Sequence, residues 1–173
     1  MRARRLVVAL ALLAIFPAAG RAAATACDVR LNVTDQDPAG LNVRASPAGA
    51  VVGALKAKGR WVQVHVTAQD GAWAKIDGAM LYTEDDAAGS SLWKGQGWVA
   101  FSKLGFEELD TQSLILAAPD DGARTLLRIS EGDEARVPRA EVLGCSGGFV
   151  QVRVKGIVGW TRTFCANQFT TCV

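Results

Sequence analysis

Gly40-Leu41-Asn42-Val43-Arg44-Ala45-Ser46-Pro47 alternates apolar and polar side chains and then breaks into a small-residue turn closed by proline. Leu41 and Val43 fall on one side of an extended chain, Asn42 and Arg44 on the other. That pattern marks a half-buried strand entering a loop. The stretch matters because it recurs. Leu114 and Leu116 alternate in the same way ahead of Pro119. Val51-Val52-Gly53-Ala54-Leu55 followed by Gly59 answers to Thr125-Leu126-Leu127-Arg128-Ile129 followed by Gly132. Gly40–Gly59 and Ser113–Gly132 superpose with one local slip. Further on, Asp70-Gly71-Ala72-Trp73-Ala74-Lys75-Ile76 matches Ser146-Gly147-Gly148-Phe149-Val150-Gln151-Val152, and Gly97-Trp98-Val99 matches Gly159-Trp160-Thr161. The chain holds one supersecondary unit twice.

Both copies read as strands. Trp61-Val62-Gln63-Val64-His65-Val66-Thr67 places three valines on one face and Trp61, Gln63 and His65 on the other. Phe149–Val154 alternates likewise, and Lys155-Gly156 is a hairpin turn. Glycines fall where apolar runs end, and no segment after residue 26 carries a helical period. Short strands between glycine-rich turns predict an all-β chain of two tandem small barrels.

The Gly-Leu-Asn-Val-Arg-x-x-Pro run, the turn-aromatic-strand element and the Gly-Trp strand resemble the bacterial SH3 (SH3b) domain. The resemblance covers residues 37–106 and, more weakly, 113–165, where Ala117-Ala118-Pro119 replaces the arginine-containing start. It implies two tandem SH3-like barrels that bind rather than catalyse. Their expected ligand is cell-wall peptidoglycan, as peptide or glycan, or a protein partner at the envelope. One segment departs from the pattern. Asp77 to Gly95 stands where a compact barrel has a short turn, and long loops in small domains are often functional. It also reads as an extra hairpin, Ala79–Thr83 against Ser91–Lys94. The expected domains are 27–106, carrying the 77–95 insertion, and 113–173, with a short linker between.

The first 26 residues read as a secretory signal. Arg2, Arg4 and Arg5 precede an eleven-residue apolar run, Leu6 to Phe16, too short for the ~20 residues that span a bilayer. Cleavage after Ala24 or after Ala26 fits, and the second would expose Cys27 to lipid attachment. The expected location is periplasmic or secreted, with no integral membrane span. The whole chain has 19 basic and 17 acidic residues. Four arginines leave with the leader, so the mature balance is 15 against 17, or −2. No basic stripe remains to bind nucleic acid.

Four cysteines, Cys27, Cys145, Cys165 and Cys172, predict two disulfides in an exported chain. Cys145–Cys165 within the second repeat, leaving Cys27–Cys172, is the favoured pairing, and Cys165–Cys172 is the local alternative. No Cys-x-x-Cys pair accompanies the lone histidine, His65, and Asp35, Asp37, Asp85 and Asp86 lack EF-hand spacing. Neither a metal nor another cofactor is expected. A cysteine peptidase needs a Cys–His pair, and the acidic turn Glu84-Asp85-Asp86 reads as solvated, so no catalytic set is expected. Trp73, Phe149, Trp98 and Trp160 occupy matched positions and are expected in the barrel cores. Trp61, Tyr82 and Trp93 have no counterpart in the second repeat. Together with Arg44 they are the candidate ligand contacts.

Overall fold

The computed structural model describes residues 23–110, 112–130 and 140–166. The leader up to residue 22, Gly132 and Cys172 lie outside the described residues. The fold is all-β and SH3-like. Among the described residues the helical exception is a 3-10 turn at Phe101–Lys103. The strands of the first half are β1 (Thr25–Val33), β2 (Leu41–Arg44), β3 (Val51–Leu55), β4 (Trp61–Asp70), β5 (Trp73–Thr83), β6 (Asp86–Ala100) and β7 (Leu104–Gly105). They form one sheet in the order β3-β2-β6-β5-β4-β1-β7. In the second half come β8 (Glu108–Leu109), β9 (Leu114–Leu116), β10 (Thr125–Arg128), β11 (Glu141–Ser146), β12 (Phe149–Val154), β13 (Ile157–Thr161) and β14 (Phe164–Cys165). Five of them form a second sheet, β10-β9-β13-β12-β11, and β8 pairs with β14.

The two sheets carry the repeat in space. Strands β2 to β6 follow the order β3-β2-β6-β5-β4, and their sequence equivalents follow β10-β9-β13-β12-β11. The inward faces are the ones that the alternation predicts. Val62, Val64 and Val66 are fully buried, as are Ala74, Ile76 and Val99 from β5 and β6. Val150 and Val152 do the same work in the second sheet. Lys155 (φ 49°) and Gly156 (φ 78°) make the two-residue turn between β12 and β13, where both positions need positive φ. Gly40 opens the decisive stretch at φ 89°, and a Cβ there would stand 2.7 Å from the Leu55 carbonyl oxygen. Only glycine fits that approach.

The 77–95 insertion is a hairpin, longer than the sequence suggests. Ala79 pairs with Trp93, Met80 with Ser91 and Thr83 with Asp86, so the turn shrinks to Glu84-Asp85. On its other side β5 pairs with β4 as far as Tyr82 opposite Trp61. The insertion therefore continues the main sheet and is no free loop. Residues 106–112 are likewise no bare linker. Phe106 and Leu109 are buried, Phe106 stacks on Phe164 with ring centroids 5.1 Å apart, and the Glu107 amide donates to the Cys165 carbonyl.

Three expectations change. The disulfide is Cys27–Cys145, with Cα atoms 5.7 Å apart, so neither Cys145–Cys165 nor Cys27–Cys172 forms. The reason is β1. It pairs with β4 and also crosses to the second half, where the Asp28 amide donates to the Gly147 carbonyl (2.7 Å) and the Gly147 amide to the Ala26 carbonyl (2.9 Å). That contact sets Cys27 against β11. Cys165 is disulfide-bonded as well. Second, the sheet begins at Thr25, two residues before the expected boundary, because Thr25 and Ala26 pair with Gln69 and Ala68. Third, Trp73, Trp98, Phe149 and Trp160 are only half-buried. Their neighbours Ala74, Val99, Val150 and Thr161 point inward, so strand alternation turns the aromatic rings outward.

Candidate functional site

Arg44, the last residue of β2, is fixed from two sides. Its Nη1 donates to the Gly49 carbonyl at 2.7 Å, and its guanidinium stands 5.6 Å from the centroid of the Trp73 ring. That distance lies within cation–π range. Trp98 is the cross-strand partner of both Arg44 and Lys75. Arg44, Trp73, Lys75 and Trp98 thus share one outer face of β2, β6 and β5. Beside it opens a cleft of about 320 Å³ lined by Asn42, Arg44, Trp73 and the 35–41 segment. That wall is pre-ordered. Asp35 Oδ1 accepts from Lys103 Nζ (3.2 Å) and from the Asp37 amide (3.3 Å), and Asp37 Oδ1 accepts from the Ala39 amide (2.8 Å). An amphipathic aromatic surface with a stacked cation favours ligands that combine an apolar face with acceptor oxygens.

The other candidates lie elsewhere. Tyr82 is only 7% exposed, and a Cβ at Gly89 would meet its ring at 2.6 Å. The folded-over hairpin covers it, so it is not the exposed contact residue that the sequence suggests. Trp93 packs on Gly53 of β3, and its Nε1 donates to the Gly95 carbonyl at 3.0 Å. It is half-buried and borders a cleft of about 330 Å³ with Arg30, His65, Asp77 and Lys94. There His65 is held by two carboxylates, Nε2 to Asp28 (2.8 Å) and Nδ1 to Asp77 (3.0 Å). Trp61 lines a separate cleft of about 320 Å³ with Asn32, Gln36, Arg60 and Glu107. Of the four sequence candidates, the structure brings together only Trp61 and Tyr82, as cross-strand partners.

In the second sheet Phe149 holds the place of Trp73, and a different arginine, Arg162, lies 5.6 Å from its ring centroid. Arg162 also pairs with Asp121 at 2.9 Å. The register puts Leu116 rather than Ala117 opposite Trp160, where Arg44 stands opposite Trp98. Burial pushes the Asp110 carboxyl above its usual range, but Asp110 lines none of these clefts. Among the described residues no group of three or more His, Cys, Asp or Glu side chains is placed to hold a metal ion. The described cysteines are all in disulfides.

Sequence reasoning placed Trp73 and Trp98 in the core and so missed them as surface groups. The signal was present. If Ala74 and Ile76 face inward, period two sends Trp73 and Lys75 outward.

No protein-family model matches the chain, and no curated protein does. A solved structure, NlpC2 from Trichomonas vaginalis, is similar at 13% identity with a TM-score of 0.30. The match covers 80% of this chain and 46% of that one, so this chain spans less than half of that structure's length. Among the described residues no helix is long and apolar enough to cross a membrane. A disulfide between distant strands fits an oxidising compartment.

Proposed function

We propose that this chain is an exported, non-enzymatic binding protein of two tandem SH3b-like barrels, and that it recognises cell-wall peptidoglycan through the Arg44 face of the first. The carrying observation is the stacked, carbonyl-anchored guanidinium of Arg44 over Trp73, beside half-exposed Trp98 and Lys75. Matching strand order in the two sheets supports the duplication. The test is co-sedimentation of the purified mature protein with peptidoglycan sacculi at physiological salt. Trp73→Ala is expected to reduce the bound fraction about tenfold, as for a central aromatic contact. Arg44→Gln is expected to weaken binding in the same direction and to shift Tm by no more than about 3 °C. Wild-type protein that stays in the supernatant sinks the proposal.

The export reading gains a cleavage site. Removal of the leader after Ala24 keeps β1 whole, whereas cleavage after Ala26 deletes two paired residues, including the carbonyl that holds Gly147. The mass of the secreted chain is expected to place its N-terminus at Thr25. Lipid attachment at Cys27 is set aside, because its sulfur is spent on Cys145.

A second reading, an adaptor for an envelope protein, draws on β3. That strand ends the first sheet with one ladder edge unpaired, and Val51 and Val52 are 50% and 51% exposed. Such an edge accepts an added strand. On this reading Val52→Lys abolishes a crosslinked partner in envelope extract and leaves sacculus binding intact.

A further inference from the structure

Asn32 is 5% exposed, yet its side-chain oxygen has no hydrogen-bond partner. Its Nδ2 donates to Glu107 Oε1 at 3.0 Å, which fixes the amide orientation and leaves Oδ1 as the orphan. Buried acceptors are almost always satisfied, and an exception calls for a cause. Asn32 lines the cleft of about 320 Å³ that also takes in Trp61, Gln36, Arg60 and Glu107. The wall is rich in acceptors: Asn32 Oδ1, the Glu107 carboxylate and the Gln36 amide oxygen. Arg60 is the cation on the rim, and its Nη1 already donates to the Lys56 carbonyl at 3.3 Å. The half-exposed indole of Trp61 supplies a flat apolar surface.

We infer that this cleft is a saccharide subsite, in which a neutral sugar donates a hydroxyl or amide hydrogen to Asn32 Oδ1 and lays a ring face on Trp61. The ligand class follows from the groups present. One orphaned acceptor in a wall of further acceptors asks for a donor-rich partner, and sugars offer several O–H donors on a ring with an apolar C–H face. A bare anion is excluded by the Glu107 carboxylate. Asn32 and Trp61 come from β1 and the start of β4, so the sheet presets their geometry, and Gln36, Arg60 and Glu107 reach the cleft from connecting segments. This subsite shares no residue with the Arg44 face, and it stands or falls without the peptidoglycan reading.

The experiment is titration of the full mature protein with chitotriose and with cellotriose, followed by calorimetry and tryptophan fluorescence. Saturable binding of at least one trisaccharide is expected. Trp61→Ala and Asn32→Leu should each weaken it about tenfold or more, the scale of one buried hydrogen bond or one stacked ring. Asn32→Leu separates the site from a mere structural role. Asn32→Leu removes the orphaned Oδ1 together with the Nδ2 bond to Glu107, an exposed carboxylate that water can satisfy instead, so Tm is expected to shift by no more than about 3 °C, while binding is lost. Arg44→Gln should leave trisaccharide affinity unchanged. Absence of saturable binding by wild type overturns the inference, as does unchanged affinity in both Trp61→Ala and Asn32→Leu. Calcium chloride that reproduces the fluorescence change and blocks the sugar also overturns it, in favour of a cation. Failure of sacculus binding with trisaccharide binding intact would count against the Arg44 proposal alone.

Discussion

Cys27→Ser is expected to lower stability by about 4 kcal/mol and Tm by on the order of 10 °C. The Cys27–Cys145 bond spans 118 residues of sequence, and cross-links that close long loops remove the most freedom from the unfolded chain. Both sulfurs are also well buried, at 8% and 2% exposure for their residues, so a serine hydroxyl at position 27 arrives in an apolar setting. The hydrogen bonds that remain between β1, β4 and the β11–β12 hairpin are the Asp28–Gly147 and Gly147–Ala26 ladder bonds and those of the Gln69 side chain. That side chain accepts from the Cys145 amide at 2.8 Å and donates to the Gly71 carbonyl at 2.9 Å. Thermal unfolding followed by circular dichroism checks the size of the effect, and non-reducing peptide mapping should recover a Cys27–Cys145 cross-linked pair. A Tm loss below about 3 °C would mean that the hydrogen bonds and the shared core hold the junction without the cross-link.

Gly159→Ala is expected to cost about 3 kcal/mol, against about 1 kcal/mol for Gly97→Ala, although both glycines precede the matched tryptophans. A Cβ at Gly159 would stand 2.5 Å from Ile115 Cγ2 and 2.7 Å from the Leu116 carbonyl oxygen. The second of these is backbone and cannot step aside without breaking the β13–β9 contact. At Gly97 the close atom is Val43 Cγ1 at 2.3 Å, while the nearest backbone oxygen, that of Arg44, is 3.5 Å away. A side chain can turn, so the first sheet absorbs the methyl more cheaply. Urea titration of the two variants reads the difference directly. Equal costs would show that β2 is as unyielding as β9.

The two predictions rest on different depths of sequence information. The Gly-Trp pairs, the alternation through Val62, Val64 and Val66, and the Lys155-Gly156 turn are local patterns, and local patterns translate directly into strands and turns. The repeat then implied that one strand unit is built twice, because equal sequences bury equal faces, while the order of its five strands is a matter of long-range pairing. β1 has no partner in the repeat. Its Cys27, Val29, Leu31 and Val33 are all buried, but nothing in their spacing says that the strand will touch both sheets. The disulfide pairing follows from that contact: the Cys165–Cys172 alternative leaves Cys27 for Cys145, but nothing in the sequence favoured it over Cys145–Cys165. The candidate sites show the same division. Arg44 was legible from its own motif. Asn32 and Glu107 were not, because one sits in the unrepeated strand and the other in a segment that read as linker. Trp61 was noted only for lacking a counterpart, and its significance depends on neighbours 29 and 46 positions away in the chain.

The double allegiance of β1 also fixes a sequence in time. A chain that emerges from its N-terminus offers Cys27 long before Cys145 exists to receive it. Residues 25 to 105 can assemble the first sheet early, but the start of β1 stays unclasped until the β11–β12 turn at Gly147 arrives. Late closure of a distant contact is slow. During that wait the Cys27 thiol is open to capture by any disulfide donor it meets, a hazard that ends only when nearly the whole polypeptide has been delivered.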